Sequence, residues 1–237
     1  LDAIKNNRDS IGATIFATDK MLIPCLECGL IPEYVVTADG SPIIEKFYDS
    51  PLVDIGSIKA VLATHTHPSV VKRFKGDKYW YNLAYESERN LLDGGLPNID
   101  RAVHWLTKKP IAPSLGNCGS VAWSLAGSAG CSPIVLCGLD YSYGTESDAK
   151  KTLYWSAYKN KYGLSDTETY DKCYRREVNP WGHDVLTDEV WDNYKAFFFQ
   201  AVKATKIQTV NVSPYSIIYG LGIETRNWNG WVKTFSK

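Results

Sequence analysis

The chain has 237 residues, of which 44% are hydrophobic, enough to bury the core of one large domain or two small ones. Its 26 basic and 26 acidic residues give a formal net charge of zero, so no long-range field would draw the protein onto nucleic acid or an anionic membrane. No apolar run approaches the length of a membrane helix, and the sequence therefore predicts no membrane span.

Helical patterns alternate with short apolar strands along the chain. The predicted strands, in chain order, are 11–18, 34–37, 58–63, 78–83, 111–113, 133–137 and 209–212. The predicted helices are 1–10, 19–28, 120–129 and 185–205, the last with Thr187 as its capping residue. This alternation predicts a single Rossmann-like α/β domain over 1–237, doubly wound around a mostly parallel sheet.

Residues 142–180 interrupt this pattern, because they are polar and aromatic and show little periodicity. We interpret them as an insertion or lid rather than as an independent domain. The chain has 8 Trp and 15 Tyr, and many of them lie after residue 140. These rings either stack on sugars or bases or simply pack a small lobe.

Six cysteines do not predict a disulfide framework in a chain of this length. Cys118, Cys131 and Cys137 lie in or beside apolar segments, where a free cysteine behaves as a small hydrophobic residue. Cys25 and Cys28 form one CxxC pair, but a structural zinc site needs a second pair or nearby histidines. The sequence therefore predicts no zinc and a reduced, cytoplasmic protein.

The most informative segment is a loop, helix and strand over 116–141. Gly116, Asn117 and Gly119 predict a tight loop whose backbone can approach a ligand closely. A helix rich in small residues follows from Ser120. Gly116, Asn117, Gly119 and Ser120 therefore offer backbone N–H groups at a helix N-terminus, an arrangement that suits an anion such as a phosphate.

Polar residues follow or close nearly every predicted strand. Those that follow a strand are Asp19, Asp39, His65, His67 and Asp140, and the last strand is closed by Asn211 and Ser213. In a parallel sheet these positions lie along one edge, where ligands bind. Each of them could instead be an ordinary cap or turn residue, but their convergence predicts a ligand crevice.

Two kinds of chemistry fit these residues. Asp39 and Asp140 could accept hydrogen bonds from ribose hydroxyls or hold a hydrated Mg²⁺, and Asp39 is the candidate for direct metal ligation. His65 and His67 could act as general acid or base, although both could also be purely structural. Asp19 and Asn211 complete the predicted nucleotide-binding set.

Several common catalytic motifs are absent from the sequence. It contains no GxGxxG, no Walker lysine loop, no GxSxG and no HExxH. These absences argue against an NAD-dependent enzyme, a P-loop kinase, a serine hydrolase and a zinc protease.

Four segments in order resemble the MptE-like family, which includes archaeal 6-hydroxymethyl-7,8-dihydropterin diphosphokinases and the central domain of the motility accessory factor (Maf) flagellin glycosyltransferases. The segments are GLIPEYVVTADGSP (29–42), LATHTHPSVVKRFKG (62–76), GNCGSVAWSLAGSAGCSPIVLCGLDYSYG (116–144), and DVLTDEVWDNYKAFF with TVNVSP (184–214). The resemblance implies a Rossmann-like fold, a nucleotide donor at the strand ends and often a divalent metal.

The chain departs from this family pattern in three places. The family usually begins with a strand and a Gly-Pro-Ser-Leu turn, so the resemblance predicts that the first strand is missing here. The diphosphokinases carry Thr-Asp-Leu-Asp-Gly where this chain has Thr37-Ala38-Asp39-Gly40, with a single carboxylate. They also carry His-x-His-Gly-Asp-Asn, whereas Pro68 and Ser69 follow His67 here.

These departures favour the Maf-type branch, which resembles enzymes that use CMP-activated sugars. The first hypothesis is a glycosyltransferase with a CMP-type donor and a small-molecule, glycan or protein acceptor. The alternatives are a pterin diphosphokinase that converts ATP to AMP, and a nucleotide- or glycan-binding module without catalysis.

Overall fold

The computed structural model describes residues 1–54, 56–84 and 99–234, which divide into two compact units, 1–130 and 131–234. The first unit is built on a parallel sheet with helices on both faces, which confirms the predicted Rossmann-like α/β class. Within the described residues, no helix is both long and apolar enough to cross a membrane.

Among its described residues, the first unit contains five strands in the order β1-β2-β3-β4-β5, and all of their pairings are parallel. The strands are β1 (Phe16–Thr18), β2 (Tyr34–Thr37), β3 (Lys59–Ala63), β4 (Lys78–Ala84) and β5 (Ile111–Pro113). The helices are α1 (Asp2–Ile11), α2 (Asp19–Glu27), α3 (Pro68–Arg73), α4 (Ile99–Thr107) and α5 (Cys118–Ser128), with 3₁₀ turns at Pro42–Phe47 and Pro51–Asp54.

Alternate side chains of the central strands point to opposite faces of this sheet, as strand geometry requires. On one face Val35 packs with Leu22 of α2, together with buried residues of the 3₁₀ turns and α3. On the other face the next residue, Val36, packs with Val121 and Ala122 of α5. Strands covered on both sides are apolar throughout, and this accounts for the continuous apolar runs in the sequence.

The second unit has a three-stranded parallel sheet in the order β10-β9-β6 and an antiparallel β7-β8 pair. The strands are β6 (Ile134–Leu136), β7 (Tyr174–Val178), β8 (Asp184–Asp188), β9 (Thr209–Asn211) and β10 (Ile223–Thr225). The helices are α6 (Glu146–Lys150), α7 (Leu153–Tyr162), α8 (Asp166–Cys173), α9 (Glu189–Thr205) and α10 (Trp228–Val232).

Residues 142–180 form helices α6–α8 and strand β7, and many of their aromatic side chains pack together. Tyr143, Trp155 and Tyr174 are buried in one cluster, against which Trp191 of α9 also packs. The rings of Trp155 and Tyr174 lie 5.1 Å apart between centroids. Of the two interpretations of these aromatic residues, packing of a lobe accounts for these three rings.

Two predicted boundaries are wrong. The strand predicted over 11–18 begins only at Phe16, because α1 continues to Ile11 and ends at Gly12, which adopts a left-handed conformation with φ of 60°. The helix predicted over 185–205 begins at Glu189, because 184–188 form strand β8. The capping residue is therefore Asp188 and not Thr187.

Asp188 supports both the start of α9 and the aromatic cluster. It is buried, and one carboxylate oxygen accepts the Trp191 backbone N–H at 2.9 Å while the other accepts the Tyr143 hydroxyl at 3.0 Å. We expect Asp188→Ala to lower the free energy of unfolding by about 2–4 kcal/mol, because it removes a cap and leaves a buried hydroxyl without an acceptor.

Asp188→Asn provides the matched control for this prediction. Asparagine caps a helix nearly as well as aspartate and still offers a polar atom to Tyr143, so the loss should stay below about 1 kcal/mol. Urea denaturation followed by far-ultraviolet circular dichroism measures both variants. Equal losses for Ala and Asn would show that the side-chain charge, rather than these hydrogen bonds, stabilises the junction.

Candidate functional site

A buried carboxylate lies at the carboxyl end of β1. Strand β1 ends at Thr18 and α2 begins at the next residue, so Asp19 is the first residue of the helix, and it is only 7% exposed. Its Oδ1 accepts the backbone N–H of Lys20 at 2.7 Å. The first turn of a helix favours a negative charge, and this position is therefore one of the few in which a nearly buried carboxylate can be retained.

The surroundings of Asp19 change its acidity. Burial raises the pKa of Asp19 from 3.8 to about 6, and the negative charge of Asp39 adds to this rise. The Lys20 amide donates a hydrogen bond to the carboxylate and lowers the pKa in part. The nearby Cys118 thiol, whose hydrogen points to the Val36 carbonyl, also lowers it slightly. The ends of β1 and β2 and the start of α5 therefore meet around this one side chain.

Two tyrosines and a threonine form a buried hydrogen-bonded layer in the same unit. The hydroxyls of Tyr48 and Thr37 bond to each other, and the Tyr81 hydroxyl donates to the Thr37 carbonyl at 2.9 Å. Burial, followed by the charge of Asp19, raises the pKa of Tyr48 well above its usual value. Tyr48 therefore stays protonated and fixes the end of β2, which Thr37 closes.

The ends of β2 and β3 approach each other closely at Gly40. The Asp39 carboxylate accepts the Ser41 backbone N–H at 2.8 Å, which makes a turn directly after β2. A β-carbon at Gly40 would lie 2.6 Å from the backbone oxygen of His65. The His65 Nε2 bonds to the Ala38 carbonyl at 3.0 Å, and since a carbonyl only accepts, Nε2 carries the hydrogen.

His67 caps α3 and faces the neighbouring 3₁₀ turn. Its Nδ1 lies 2.7 Å from the Ser69 hydroxyl and 3.2 Å from Glu45 Oε1. Since a carboxylate only accepts, Glu45 favours the tautomer that has its hydrogen on Nδ1 and a basic Nε2. Glu45 and Ser69 also line a cavity of about 480 Å³, together with Pro42, Ile43, Lys46, Tyr48, Asp49, Val70 and Arg73.

The loop before α5 has the predicted form. Leu115 and Gly116 adopt positive φ angles of 46° and 88°, and Asn117 caps the helix by accepting the Ser120 backbone N–H at 3.0 Å. The Ser120 side chain is fully buried. First-turn N–H groups have no intrahelical acceptor, so those of Cys118 and Gly119 are the ones suited to an anion.

In the second unit, Asp140 follows β6. Its Oδ1 is buried without a hydrogen-bond partner among the described residues. Burial raises the pKa of Asp140 to about 6, although a hydrogen bond from Ser213 partly opposes this. A carboxylate that is buried and incompletely bonded is costly, and such groups are often functional.

Asn211 closes β9 and is fully buried. Its amide nitrogen donates to the Ser216 hydroxyl at 2.8 Å and to the Ile218 carbonyl at 2.7 Å, and its oxygen accepts the Ser213 N–H at 2.9 Å. These bonds order the loop after β9. Nucleotide binding by Asn211 remains a prediction.

The structure thus brings Asp19, Asp39, His65 and the start of α5 together at one sheet edge of the first unit, with His67 at the neighbouring cavity. Asp140 and Asn211 lie in the second unit. Sequence reasoning missed the contact between Cys118 and Asp19 and the layer formed by Thr37, Tyr48 and Tyr81. The only feature of the sequence that could have indicated a role for Cys118 in the site is its position directly after the Asn117 helix cap.

The fold is that of a Rossmann-like α/β protein with polar residues at its strand ends. The model of one family, described as 6-hydroxymethylpterin diphosphokinase MptE-like, matches residues 1–146. The chain therefore belongs to the MptE-like family, a family of transferases.

A solved structure described as the Maf glycosyltransferase from Magnetospirillum magneticum AMB-1 is similar to this fold, with a TM-score of 0.61 and 14% sequence identity. The similarity covers 96% of this chain but only 31% of that protein. No curated protein matches the sequence significantly. The chain thus spans about a third of its structural relative.

The pKa of Asp19 predicts how stability depends on pH. Because the pKa is raised on folding, the favourable contribution of this group is complete below about pH 4 and is lost as the pH rises through 6. Asp19→Asn keeps the shape and removes the charge. We expect the variant to be more stable than the wild type at pH 8, by roughly 1–3 kcal/mol, and this gain to shrink toward pH 4.

Urea denaturation at several pH values measures this difference, with Asp9→Asn as an exposed control that should change neither the stability nor its pH dependence. A loss of stability in Asp19→Asn at pH 8 would contradict the prediction. It would show that the hydrogen bonds to the carboxylate outweigh the cost of burying its charge.

A second prediction concerns the close approach at Gly40. Gly40→Ala places a methyl group against the His65 backbone, so the two loops must separate. We expect a loss of about 1–3 kcal/mol in the free energy of unfolding. Gly56→Ala is the matched control, because a β-carbon there meets nothing within 4 Å and should be close to neutral. Equal effects of the two substitutions in thermal denaturation would show that the contact is not tight.

Proposed function

We propose that this protein is a nucleotide-dependent glycosyltransferase that uses a CMP-type activated sugar. The observation that carries the proposal is the meeting of Asp19, Asp39 and the first turn of α5 at the carboxyl edge of a parallel sheet. Open α/β sheets bind nucleotides at this edge. Membership in a transferase family supports the reaction class.

In this proposal the donor phosphate binds the N–H groups of Cys118 and Gly119. The positive end of the helix and the left-handed Gly116 let the backbone approach the phosphate closely. Asp39 is exposed and is oriented by the Ser41 amide, so its second oxygen can accept hydroxyls of the ribose.

A magnesium ion fits the same place. Mg²⁺ in nucleotide sites is held by one or two carboxylates and by the phosphates, and Asp39 is close enough to Asp19 for its negative charge to raise the pKa of Asp19. When bound, the ion would offset this repulsion and the charge of the leaving phosphate. Within the described residues, no group of three or more His, Cys, Asp and Glu side chains could hold a metal, so the phosphate would have to complete the ligand set.

His67 is the residue we assign to proton transfer. Its Nδ1 contacts Glu45 and Ser69, two residues that line the 480 Å³ cavity that we assign to the acceptor, so Nε2 is the atom that we assign as the base. As the acceptor oxygen bonds to the anomeric carbon and the bond to the CMP phosphate breaks, Nε2 takes the acceptor proton. His65 donates to a backbone carbonyl and serves to hold the Asp39 turn.

We place this activity in the cytoplasm, where nucleotide donors are made. All six cysteines are free, which is consistent with a reducing compartment. The acceptor is a small molecule, a glycan or a protein.

The proposal predicts selective binding of cytidine nucleotides. In calorimetric titrations with CMP, UMP, AMP and GMP in the presence of Mg²⁺, we expect CMP to bind most tightly. Asp39→Asn should weaken CMP binding by about 10- to 100-fold, the scale of a lost charge-assisted hydrogen bond, while Asp9→Asn should have no effect. If none of the four nucleotides binds, the proposed donor site is wrong. If CMP binds but no donor sugar is transferred or hydrolysed, the protein is a binding module.

A pterin diphosphokinase is the second candidate, and one observation favours it. The sequence run Thr37-Ala38-Asp39-Gly40 has a single carboxylate, but the effect of the Asp39 charge on Asp19 supports a second carboxylate, from Asp19, in the same site. This candidate predicts release of AMP from ATP and Mg²⁺ when 6-hydroxymethyl-7,8-dihydropterin is added. Chromatography of the nucleotides after incubation tests it, and absence of AMP would eliminate it.

A further inference from the structure

A second cavity lies in the second unit, where α7 and α8 end and α9 begins. Its volume is about 410 Å³, within the range of small-molecule sites. Its lining residues are Tyr158, Tyr162, Leu164, Lys172, Cys173 and Glu189. None of these residues belongs to the candidate site in the first unit.

Two tyrosines give this cavity an aromatic wall. Tyr158 and Tyr162 are four residues apart on α7, so both lie on the same side of the helix. Tyr158 is held in place by the Tyr174 ring, whose centroid is 5.9 Å from its own in an edge-to-face arrangement. Tyr162 is 52% exposed and can be reached from solvent. The wall is therefore partly fixed and partly accessible.

Charged groups of both signs surround the aromatic wall. Lys172 and Glu189 are exposed at the cavity, and the Lys172 ammonium also lies 3.5 Å from Glu168 Oε1, which leaves it further N–H groups to donate. Lys161 lies over the Tyr162 ring, with its ammonium 4.9 Å from the ring centroid. Lysine only donates hydrogen bonds and glutamate only accepts them. A ligand with neighbouring hydroxyl groups, each of which can donate and accept, can bond to both Lys172 and Glu189.

The position of α9 argues against an anionic ligand. A helix N-terminus ordinarily favours anions, but here the Asp188 carboxylate caps the helix, and Glu189 and Asp192 lie in its first turn. Asp188 and Glu189 occupy the positive end of the helix dipole, while the Asp192 carboxylate is paired with Arg175. The helix N-terminus therefore offers no free anion site at this cavity, which favours a neutral ligand.

From the aromatic wall, the lysine donor and the glutamate acceptor that line it, and the helix N-terminus that carboxylates already occupy, we propose that this cavity binds one neutral sugar unit of a glycan. The apolar C–H face of the sugar stacks on Tyr162, and its hydroxyls bond to Lys172 and Glu189. This assignment is independent of the proposed transferase activity, since it uses a different unit and a different class of ligand.

Saturation-transfer difference NMR with the methyl glycosides of glucose, galactose and N-acetylglucosamine tests the proposal on the intact chain. We expect at least one of them to bind with millimolar affinity and to receive saturation mainly at the C–H protons of one ring face. Tyr162→Ala should weaken binding roughly fivefold or more, whereas Tyr162→Phe should retain it. Glu189→Gln should weaken it by a similar factor, because an acceptor is partly replaced by a donor.

Tyr219→Ala is the control, since Tyr219 is a similarly exposed tyrosine of the same unit outside the cavity, and it should bind the sugars like the wild type. Circular dichroism checks that each variant is folded. Absence of binding to all three glycosides would overturn the proposal, and so would binding that survives Tyr162→Ala unchanged. Cytidine or adenosine binding as tightly as the best sugar, and losing affinity in Tyr162→Ala, would assign the cavity to nucleobases instead.

Discussion

The ends of β1 and β2 and the start of α5 meet around one carboxylate that is removed from water. A nearly buried aspartate is unfavourable unless nearby dipoles and hydrogen bonds compensate, and Asp19 has both the start of α2 and the Lys20 amide. Its raised pKa shows that the compensation is incomplete. Such residual cost is typical of residues that are kept for binding rather than for stability.

The polar residues at the strand ends of the two sheets differ in burial and in hydrogen bonding. Asn211 in the second unit is fully buried, and its amide donates to and accepts from the loop that follows β9. Asp39 in the first unit is exposed, and one of its oxygens is held by a turn. A polar residue at the end of a strand can thus either stabilise the following loop or remain available to a ligand. The number of its hydrogen bonds within the protein distinguishes these two roles.

The parts that could be predicted from the sequence are those that local chemistry determines. Strand β2 has the predicted bounds because its apolar run lies between clear turn residues, and the Asn117 cap follows from its loop motif. The sequence predicts a helix where strand β8 lies, because Val185 and Leu186 fit both the helical and the strand pattern of hydrophobic residues. Only the pairing with β7, which the sequence does not reveal, identifies the segment as a strand. Likewise, no local pattern indicates that Cys118 reaches Asp19, since that contact depends on how α5 packs across the sheet.

The environment of Cys118 has a practical consequence. Its thiol donates to the Val36 carbonyl at 3.0 Å, and burial holds its pKa well above the usual value. The reactive thiolate is therefore scarce at neutral pH, so oxidants and alkylating reagents should modify more accessible cysteines before this one. The Cys118 thiol in the proposed phosphate site is thus expected to react slowly. Thiol-directed probes can therefore be attached to other cysteines of the chain while that site stays intact.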